Sequence, residues 1–287
     1  MGRDRWADWL ISGRERRLDE RRVRALNSEL RRVRNRVLAG ARLRRGIGVL
    51  DVGAGTGLLA LEARRRVGAL GTVIALDVSH DALRECWRAA EAGDNRGAAQ
   101  LSLIVGDAVS LPLPNECVDA IVARSVLIYV VDKHGAACEF HRVLRPGGRV
   151  SIFEPINSQY ETLAEIDLSD LELTHERVLD RWHSGGDPGA AMCGFDERDL
   201  VQHFDDAGFD VVDLTYERVR RRACAKPEQV WVFLTMRPNP NMVSYEEAAH
   251  DVLGDAADEY LSALAAILSS QPSTSVSAGA YLRCRAT

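Results

Sequence analysis

The stretch Val49-Leu50-Asp51-Val52-Gly53-Ala54-Gly55-Thr56-Gly57-Leu58 decides the fold of this chain. A short apolar run ends in three glycines at alternating positions, and a helical pattern follows. Glycine lets the backbone turn sharply from a strand into a helix and lets a ligand approach the main chain closely. The spacing excludes two common loops. A dinucleotide fingerprint counted from Gly53 needs glycine where Leu58 stands, and a P-loop needs a Gly-Lys-Ser/Thr that does not follow.

The chain alternates short apolar runs with amphipathic stretches from residue 47 onward. Such alternation predicts an α/β fold: a doubly wound, mostly parallel, seven-stranded Rossmann-like sheet, with N-terminal helices and helical insertions on the substrate side. The predicted strands are 48–52, 72–76, 101–105, 118–123, 149–153, 209–219 and a closing strand at 277–285. The predicted helices are 57–67, 80–92, 132–144, 196–207, 245–253 and 256–268, whereas 230–236 fits either a strand or a buried helix.

The composition is that of a folded, water-soluble protein. The 287 residues are 46% hydrophobic and 28% charged, with a formal net charge of −5. No apolar run reaches the roughly 18 residues that a membrane span needs, and the start lacks the apolar core of a signal peptide. The six cysteines include no C-x-x-C pair, so we expect reduced thiols, no metal site and a cytoplasmic location.

Residues 1–46 are strongly basic, with fifteen arginines against six acidic residues. A basic arm can bind nucleic acid, but apolar residues here recur every three or four positions. That stripe predicts a packed helix with an arginine-covered outer face, and it makes nucleic-acid binding the less favoured interpretation. Its members are Val23, Leu26, Leu30, Val33 and Val37.

Acidic residues stand at or near the ends of three predicted strands. Asp51 lies in the first, Asp77 ends the second twenty residues after Gly57, and Asp107 follows the third. Parallel α/β sheets bind ligands at the carboxyl ends of their strands, where a carboxylate can accept hydrogen bonds from ribose hydroxyls or an adenine amino group. One such acid would be an ordinary turn residue. Three of them beside this glycine loop predict a ligand that contains a nucleoside.

Together these residues resemble the class I S-adenosylmethionine-dependent methyltransferases, and within them the ubiquinone/menaquinone C-methyltransferase-like branch. The resemblance covers about residues 45–215 and implies an enzyme that uses S-adenosylmethionine and releases S-adenosylhomocysteine. Its motifs are Leu50–Gly57, Ala75-Leu76-Asp77-Val78-Ser79, Gly106-Asp107-Ala108 with Leu111-Pro112, and His141-Arg142-Val143-Leu144-Arg145-Pro146-Gly147-Gly148. The implied contacts are Asp51, Gly53, Ala54, Gly55, Thr56 and Gly57 for the methionine part, Asp77 for the ribose, Val78, Asp107 and Ala108 for the adenine, and Arg124 or Ser125 beside the sulfonium.

The chain divides into three predicted parts. Proteins of this family commonly close N-terminal helices over the cofactor, so Trp6 and Trp9 are candidates for a lid, with plain burial in the core as the alternative. The parts are 1–45, an N-terminal helical lid or cap; 46–220, the cofactor-binding core with a substrate-side insertion at 155–194; and 221–287, a helical insertion and closing strand.

An acidic stretch at 154–187 carries nine acidic residues against two arginines, next to the predicted end of the fifth strand. Carboxylates there could hold an ammonium or guanidinium group and help to remove its proton. Our first hypothesis is therefore N-methylation of a basic, arginine-like small molecule or peptide side chain in specialised metabolism. Methyl transfer requires mainly alignment, so no catalytic triad is expected. The candidate catalytic residues are Glu154 and Tyr129, and the candidate substrate contacts are Glu154, Asn157, His175 and Glu176.

Three other interpretations stay open on the sequence. One is O- or C-methylation of a neutral phenolic or polyketide-like metabolite, which an apolar, aromatic-lined pocket would favour. A second, arsenic methylation, needs clustered cysteines, and only Cys193 and Cys224 are suitably placed. A third is a non-enzymatic, cofactor-binding regulator that uses the arginine-rich helix. We expect a monomer or homodimer without a membrane partner.

Overall fold

Eight strands form one sheet in the part of the chain that the structure describes, which is residues 3–13, 20–164, 166–169, 171–183 and 191–287 of a computed structural model. The strands are β1 (Gly48–Val52), β2 (Thr72–Asp77), β3 (Gln100–Val105), β4 (Val118–Arg124), β5 (Leu144–Pro155), β6 (Glu161–Ala164), β7 (Phe209–Cys224) and β8 (Pro272–Ala286). Strands β1 to β5 are parallel in the order β3-β2-β1-β4-β5, which confirms the predicted Rossmann-like core. All five residues of β1 are buried, as expected where helices cover both faces of a sheet.

Strand β8 pairs with three other strands. One edge runs antiparallel to β5 through residues 279–285 and, farther along, pairs with the short β6. The other edge pairs with β7 over the whole length of both strands. β6 is an addition to the seven predicted strands, and β7 and β8 extend past the predicted 209–219 and 277–285. The added residues of β7 and β8 include arginines and serines, which pair through backbone hydrogen bonds. A search for alternating apolar residues therefore does not detect them.

The described helices follow the predicted periodicity closely. Residues 230–236, which fitted two interpretations, are mostly helix, and Pro227 occupies the first turn of that helix, where its missing N–H costs nothing. The predicted helix 57–67 begins only at Ala60, because the glycine loop occupies the residues before it. The helices are α1 (Arg5–Asp8), α2 (Glu20–Gly40), α3 (Ala60–Val67), α4 (His80–Ala92), α5 (Lys133–Val143), α6 (Glu172–His183), α7 (Glu197–Asp206), α8 (Pro227–Thr235), α9 (Tyr245–Leu253) and α10 (Ala257–Ser270).

Apolar cores lie on both faces of the sheet. Helices α2, α3 and α4 pack on one face, and α5 and α7 pack on the other. Within α2, Val33 and Val37 are buried and the earlier members of the predicted stripe are half-buried. A further apolar cluster joins α6, α8, α9 and α10 around the fully buried ring of Tyr245. None of the described helices combines the length and the apolar character that crossing a membrane would require.

Candidate active site

The loop after β1 has the backbone conformation that its three glycines predict. Gly53, Gly55 and Gly57 have φ values of +65°, +54° and +94°, a region that side chains rarely tolerate. A Cβ atom at Gly53 would lie 2.3 Å from Cγ2 of Val126, and one at Gly57 would lie 2.7 Å from Sγ of Cys86. Glycine is therefore required here for the turn and also for the packing around it.

Two buried carboxylates hold this loop in place. Asp77 accepts a hydrogen bond from the Gly55 N–H through Oδ2 and one from the Ser79 N–H through Oδ1, both at 2.8 Å. Asp51 accepts the N–H of Ala60, also at 2.8 Å, and so joins β1 to the start of α3. Burial raises the pKa of both carboxyl groups, and the backbone donors oppose that effect. Each oxygen that binds one backbone N–H keeps a second lone pair for a ligand.

The ends of β2 and β3 supply an apolar surface beside these acids. Val78, which follows β2, is 52% exposed. Asp107 is exposed and its Oδ1 accepts the Val109 N–H at 3.2 Å, whereas Ala108 is buried. This arrangement offers a flat apolar contact with polar groups at its margin.

The end of β4 carries backbone strain. Ser125 has a φ of +55° although it is not glycine, and its N–H donates to the carbonyl of Phe153 at 2.8 Å. Strained residues of this kind cluster at functional sites, where the surrounding structure holds them. The strained turn directs the chain from Arg124 into the short helical turn Leu127–Tyr129.

One cavity of about 970 Å³ brings the predicted cofactor residues together. This is within the usual range for a ligand site. The residues that line it include all those predicted to bind the cofactor, namely Asp51, Gly53, Ala54, Gly55, Thr56, Gly57, Asp77, Val78, Asp107, Ala108, Arg124 and Ser125.

Three aromatic rings form a wall of the same cavity, which we call the aromatic wall: Trp6, Trp9 and Tyr129. The ring centroids of Trp6 and Tyr129 lie 5.0 Å apart, those of the two tryptophans 6.1 Å apart, and those of Trp9 and Tyr129 6.4 Å apart. All three contacts are edge-to-face, the arrangement that aromatic quadrupoles favour. All three side chains are half-buried, so the tryptophans are neither plain core nor plain surface.

Hydrogen bonds at Asp4 and at Trp9 hold the N-terminal segment 3–13 against the rest of the protein. The Asp4 carboxylate accepts the Ser79 hydroxyl at 2.8 Å and the Asp81 N–H at 3.2 Å, while the Asp4 N–H donates to the Asp81 carboxylate at 2.8 Å. The indole N–H of Trp9 donates to the carbonyl of Arg237 at 3.0 Å. The segment thus connects the loop after β2 to the region between α8 and α9.

Helix α2 contributes a part of the cavity that sequence reasoning missed. Leu26, Asn27, Leu30 and Arg34 line it from positions that repeat along one side of the helix. Leu26 and Leu30 were recognised only as members of a packing stripe. Asn27 and Arg34 flank that stripe, and these two polar residues were the feature of the sequence that could have indicated a cavity beside the helix.

Glu154 does not line the cavity. It is fully buried, and its carboxylate accepts the N–H groups of Val126 at 3.0 Å and Ile128 at 3.2 Å. Burial raises the pKa of Glu154 to about 7. The predicted substrate-contacting carboxylate is therefore a support for the turn that carries Tyr129, because its oxygens point into the protein rather than towards the cavity.

The other predicted substrate contacts lie apart from the cavity lining. His175 is buried in the helical cluster around Tyr245, with its Nδ1 2.8 Å from the Tyr245 hydroxyl and 3.0 Å from the Tyr260 hydroxyl. Burial lowers the pKa of His175. Glu176, on the same helix, is exposed, and Asn157 begins a short helical turn after β5. None of the described residues of 154–187 lines the cavity. Residues 165, 170 and 184–187 of this stretch lie outside the described part.

Comparison with known proteins agrees with this geometry. Residues 50–152 match the family described as "Methyltransferase domain". That range runs from β1 into β5 and contains the glycine loop and all three strand-end acids. This part of the chain is therefore similar to a methyltransferase domain, as the sequence predicts.

Individual relatives are similar over part of their length. The chain is 34% identical over 113 residues to nocamycin O-methyltransferase of Saccharothrix syringae, a stretch that covers 39% of each protein. It is 38% identical over 112 residues to a ubiquinone/menaquinone biosynthesis C-methyltransferase of Idiomarina loihiensis, covering 39% of this chain and 44% of that one. The matched stretch thus spans less than half of either relative. The fold matches the YcgJ protein of Bacillus subtilis with a TM-score of 0.54 at 17% identity, covering 88% of this chain and 97% of that one.

The residues present fit S-adenosylmethionine. Val126 packs where a Cβ atom of residue 53 would lie. The backbone of the glycine loop lines the cavity, so an amino-acid group can contact it there. Asp77 offers a carboxylate to vicinal hydroxyls, and the exposed Val78 offers a face to a flat base. The cavity that these groups line continues to the aromatic wall, so it also has room for a second molecule.

Proposed function

We propose that this chain transfers a methyl group from S-adenosylmethionine to an oxygen or carbon atom of an apolar, ring-containing small molecule. The observation that carries the proposal is the aromatic wall of Trp6, Trp9 and Tyr129, which lines the same cavity as the glycine loop. Leu26 and Leu30 add aliphatic surface from α2. A cavity lined in this way binds apolar rings through burial and edge-to-face contacts.

The alternative of a basic acceptor has lost its main support, the acidic stretch at 154–187, since none of its described residues reaches the cavity. Two carboxylates outside the cofactor residues do line it, but both are engaged elsewhere. Glu62 lies 3.6 Å from the Arg65 guanidinium, and Asp132 accepts the N–H of Gly135 at 2.7 Å at the start of α5. A cationic acceptor would therefore have to share Glu62 or Asp132 with these partners.

The cationic groups of the cavity favour an acceptor with an acidic hydroxyl. Arg34 and Arg124 line it together with the aromatic wall. A phenol or enol becomes a good nucleophile when it loses its proton, and a guanidinium stabilises the resulting negative charge. The same charge would repel an ammonium ion. The names of the two relatives, an O-methyltransferase and a C-methyltransferase, support acceptors of this kind.

Catalysis in such a site depends mainly on alignment. When bound, S-adenosylmethionine supplies an electrophilic methyl carbon and a neutral thioether leaving group, so no acid is needed. The residues of this chain then hold the acceptor on the aromatic wall, exclude water with segment 3–13, and stabilise the oxyanion with Arg34 and Arg124. Correct positioning alone can lower a barrier by about 7–11 kcal/mol. Glu154 acts indirectly, because it supports the turn that places Tyr129.

A methyl-transfer assay with a panel of acceptors tests this function. Ring compounds that carry a phenol or enol group should be methylated in preference to amines, guanidines and carboxylic acids. Arg34→Gln should slow transfer to the preferred acceptor while leaving S-adenosylhomocysteine affinity unchanged. Arg198→Gln, an exposed arginine on α7, is the matched control. Preference for amines would restore the N-methylation hypothesis, and absence of transfer to every class would contradict an enzymatic role.

A further inference from the structure

A group of arginines lies at the opposite end of the strands from the cofactor site. Arg149 begins the part of β5 that pairs with Ala120 near the start of β4, whereas Arg124, at the cavity, pairs with Phe153. Four residues of extended chain separate the two levels, about 13 Å at the rise of a strand. This group therefore belongs to neither the cofactor nor the acceptor cavity.

Strand register places like charges directly opposite each other. Arg149 of β5 and Arg285 of β8 are paired residues, and Arg283 of β8 is paired with Ser151. Side chains two residues apart on a strand share one face, so all three arginines project from the same face of the sheet. Directly opposed like charges destabilise an antiparallel pair, so this arrangement costs stability in the absence of a counter-ion.

Two further arginines approach from α2. The C-terminal residue of that helix, Gly40, packs so closely on this face that a Cβ there would lie 2.4 Å from Oγ of Ser151 and 2.9 Å from Cδ of Arg283. Arg42 and Arg44 follow it immediately and are exposed. Burial, together with the charges of Arg42, Arg285, Arg44 and Arg283, lowers the pKa of Arg149.

The neighbouring carboxylates leave most of these guanidinium groups unneutralised. Asp213 binds Arg283, with an Nε to Oδ2 distance of 3.1 Å, and Asp119 binds the nearby Arg145 at 2.8 Å. Asp210 is paired with Arg285 in the β7–β8 register but does not reach it within 4.0 Å. Among the residues that the structure describes, Arg42, Arg44, Arg149 and Arg285 form no ion pair.

We propose that Arg42, Arg44, Arg149 and Arg285 form a binding site for a compact, multiply charged phosphate ligand of the diphosphate type. Arginine suits this ligand because its planar guanidinium binds phosphate oxygens in pairs. The site surrounds one half-buried residue, Arg149, rather than following a long stripe, and this favours a compact anion over the extended backbone of a nucleic acid. A bound anion would also neutralise the opposed charges of Arg149 and Arg285.

Calorimetry on the full chain with inorganic pyrophosphate tests the proposal. One pyrophosphate should bind with a Kd below about 1 mM. Saturating S-adenosylhomocysteine should leave this affinity unchanged, because the two sites lie at opposite ends of the strands. Arg285→Gln and Arg149→Gln should each weaken binding about tenfold or more, the usual effect of losing a charge-assisted hydrogen bond. Arg198→Gln, which removes an exposed charge elsewhere, should retain the wild-type affinity. If Arg149→Gln fails to fold, the exposed Arg44→Gln replaces it.

Thermal unfolding gives a second, independent result. Without ligand, Arg285→Gln should unfold at a higher temperature than the wild type because a repulsive pair has been removed. Pyrophosphate should raise the unfolding temperature of the wild type but not that of the variant. The proposal is wrong if pyrophosphate does not bind or binds the Arg285→Gln variant equally well. The proposal of a compact anion is also wrong if duplex DNA binds more tightly than pyrophosphate and loses affinity in the Arg285→Gln variant.

Discussion

Asp77 and Gly55 are joined by a hydrogen bond of 2.8 Å, from the glycine N–H to a carboxylate oxygen that is almost completely buried. This contact links the end of β2 to the glycine loop after β1, so one residue both shapes the loop and faces the cavity. The second oxygen of Asp77 is also engaged, by the N–H of Ser79. Any loss of this carboxylate should therefore affect loop conformation and ligand affinity together.

We expect Asp77→Asn to weaken S-adenosylhomocysteine binding by about ten- to a hundredfold, as losing a hydrogen bond to a charged group predicts. Asparagine has one acceptor oxygen, so its NH₂ group would face one of the two backbone N–H donors. Calorimetry on the purified variant measures the effect. Asp205→Asn, at an exposed position of α7, should bind like the wild type. Equal affinity in the Asp77 variant would contradict the assignment of this cavity to the cofactor.

Gly53 and Gly97 allow backbone strain to be separated from steric clash. Both have a positive φ, +65° and +70°, but a Cβ at Gly97 meets nothing within 4 Å, whereas one at Gly53 meets Val126 at 2.3 Å. Gly97→Ala should cost about 1 kcal/mol of unfolding free energy. Gly53→Ala should cost more and should abolish measurable cofactor binding. Denaturant titration and calorimetry of both variants check this, and similar behaviour of the two would show that the clash is relieved without loss of function.

The aromatic wall should affect the acceptor more than the cofactor. We expect Trp6→Ala to raise the acceptor KM by about tenfold or more, since truncating an aromatic ring at a binding surface typically costs over 1 kcal/mol. Trp6→Phe should keep most of the affinity, because the edge-to-face contact with Tyr129 survives. Tyr129→Phe keeps the wall and removes only the hydroxyl, so a fall in kcat there would assign that hydroxyl to the reaction. An unchanged KM in Trp6→Ala would remove this ring from the acceptor site.

Glu154 should make stability depend on pH. Its folded-state pKa of about 7 lies above the ordinary value of 4.5, so the folded protein holds more protons than the unfolded chain between these two pH values. Stability contributed by this group should therefore be present below pH 4.5, fall as the pH rises to about 7, and stay constant above that. The total change is on the order of 3 kcal/mol.

The variant Glu154→Gln isolates this effect, because other buried carboxylates such as Asp51 also have raised pKa values. The wild type should gain stability relative to the variant when the pH is lowered from 7 to 5. Denaturant unfolding of both proteins at several pH values measures the difference. Parallel pH profiles would show that the Glu154 carboxyl ionises normally in the folded protein.

Local patterns were sufficient to predict that the glycine loop and the strand-end acids lie together at one cavity. The glycine loop, Asp77 and Asp107 each stand at a strand end, and the parallel sheet brings strand ends together whatever the loop details are. The positions of the first five strands and of the helices between them along the chain followed from the same alternation. These features depend on short-range periodicity, which is visible in one sequence.

The other side of the cavity, where we propose that the acceptor binds, could not be predicted in this way, because it depends on how distant segments pack. Position alone suggested that Glu154 faces the substrate, yet the turn at Val126–Ile128 presents unpaired N–H groups that attract its carboxylate inward. Arg34 reaches the cavity only because α2 packs across the sheet face, which no local spacing reveals. The extension of β7 and β8 similarly rests on backbone pairing of polar residues.

The three-way pairing of β8 has a consequence for synthesis on the ribosome. Until residues 272–286 have emerged, the outer edge of β5 and the inner edge of β7 both expose unsatisfied main-chain groups. A nascent chain at that stage already contains the whole glycine loop and its acids, but it presents two open templates for pairing with neighbouring polypeptides. Premature termination before β8 should therefore yield aggregates rather than a smaller working domain, and the arginines along β7 are well placed to slow that association.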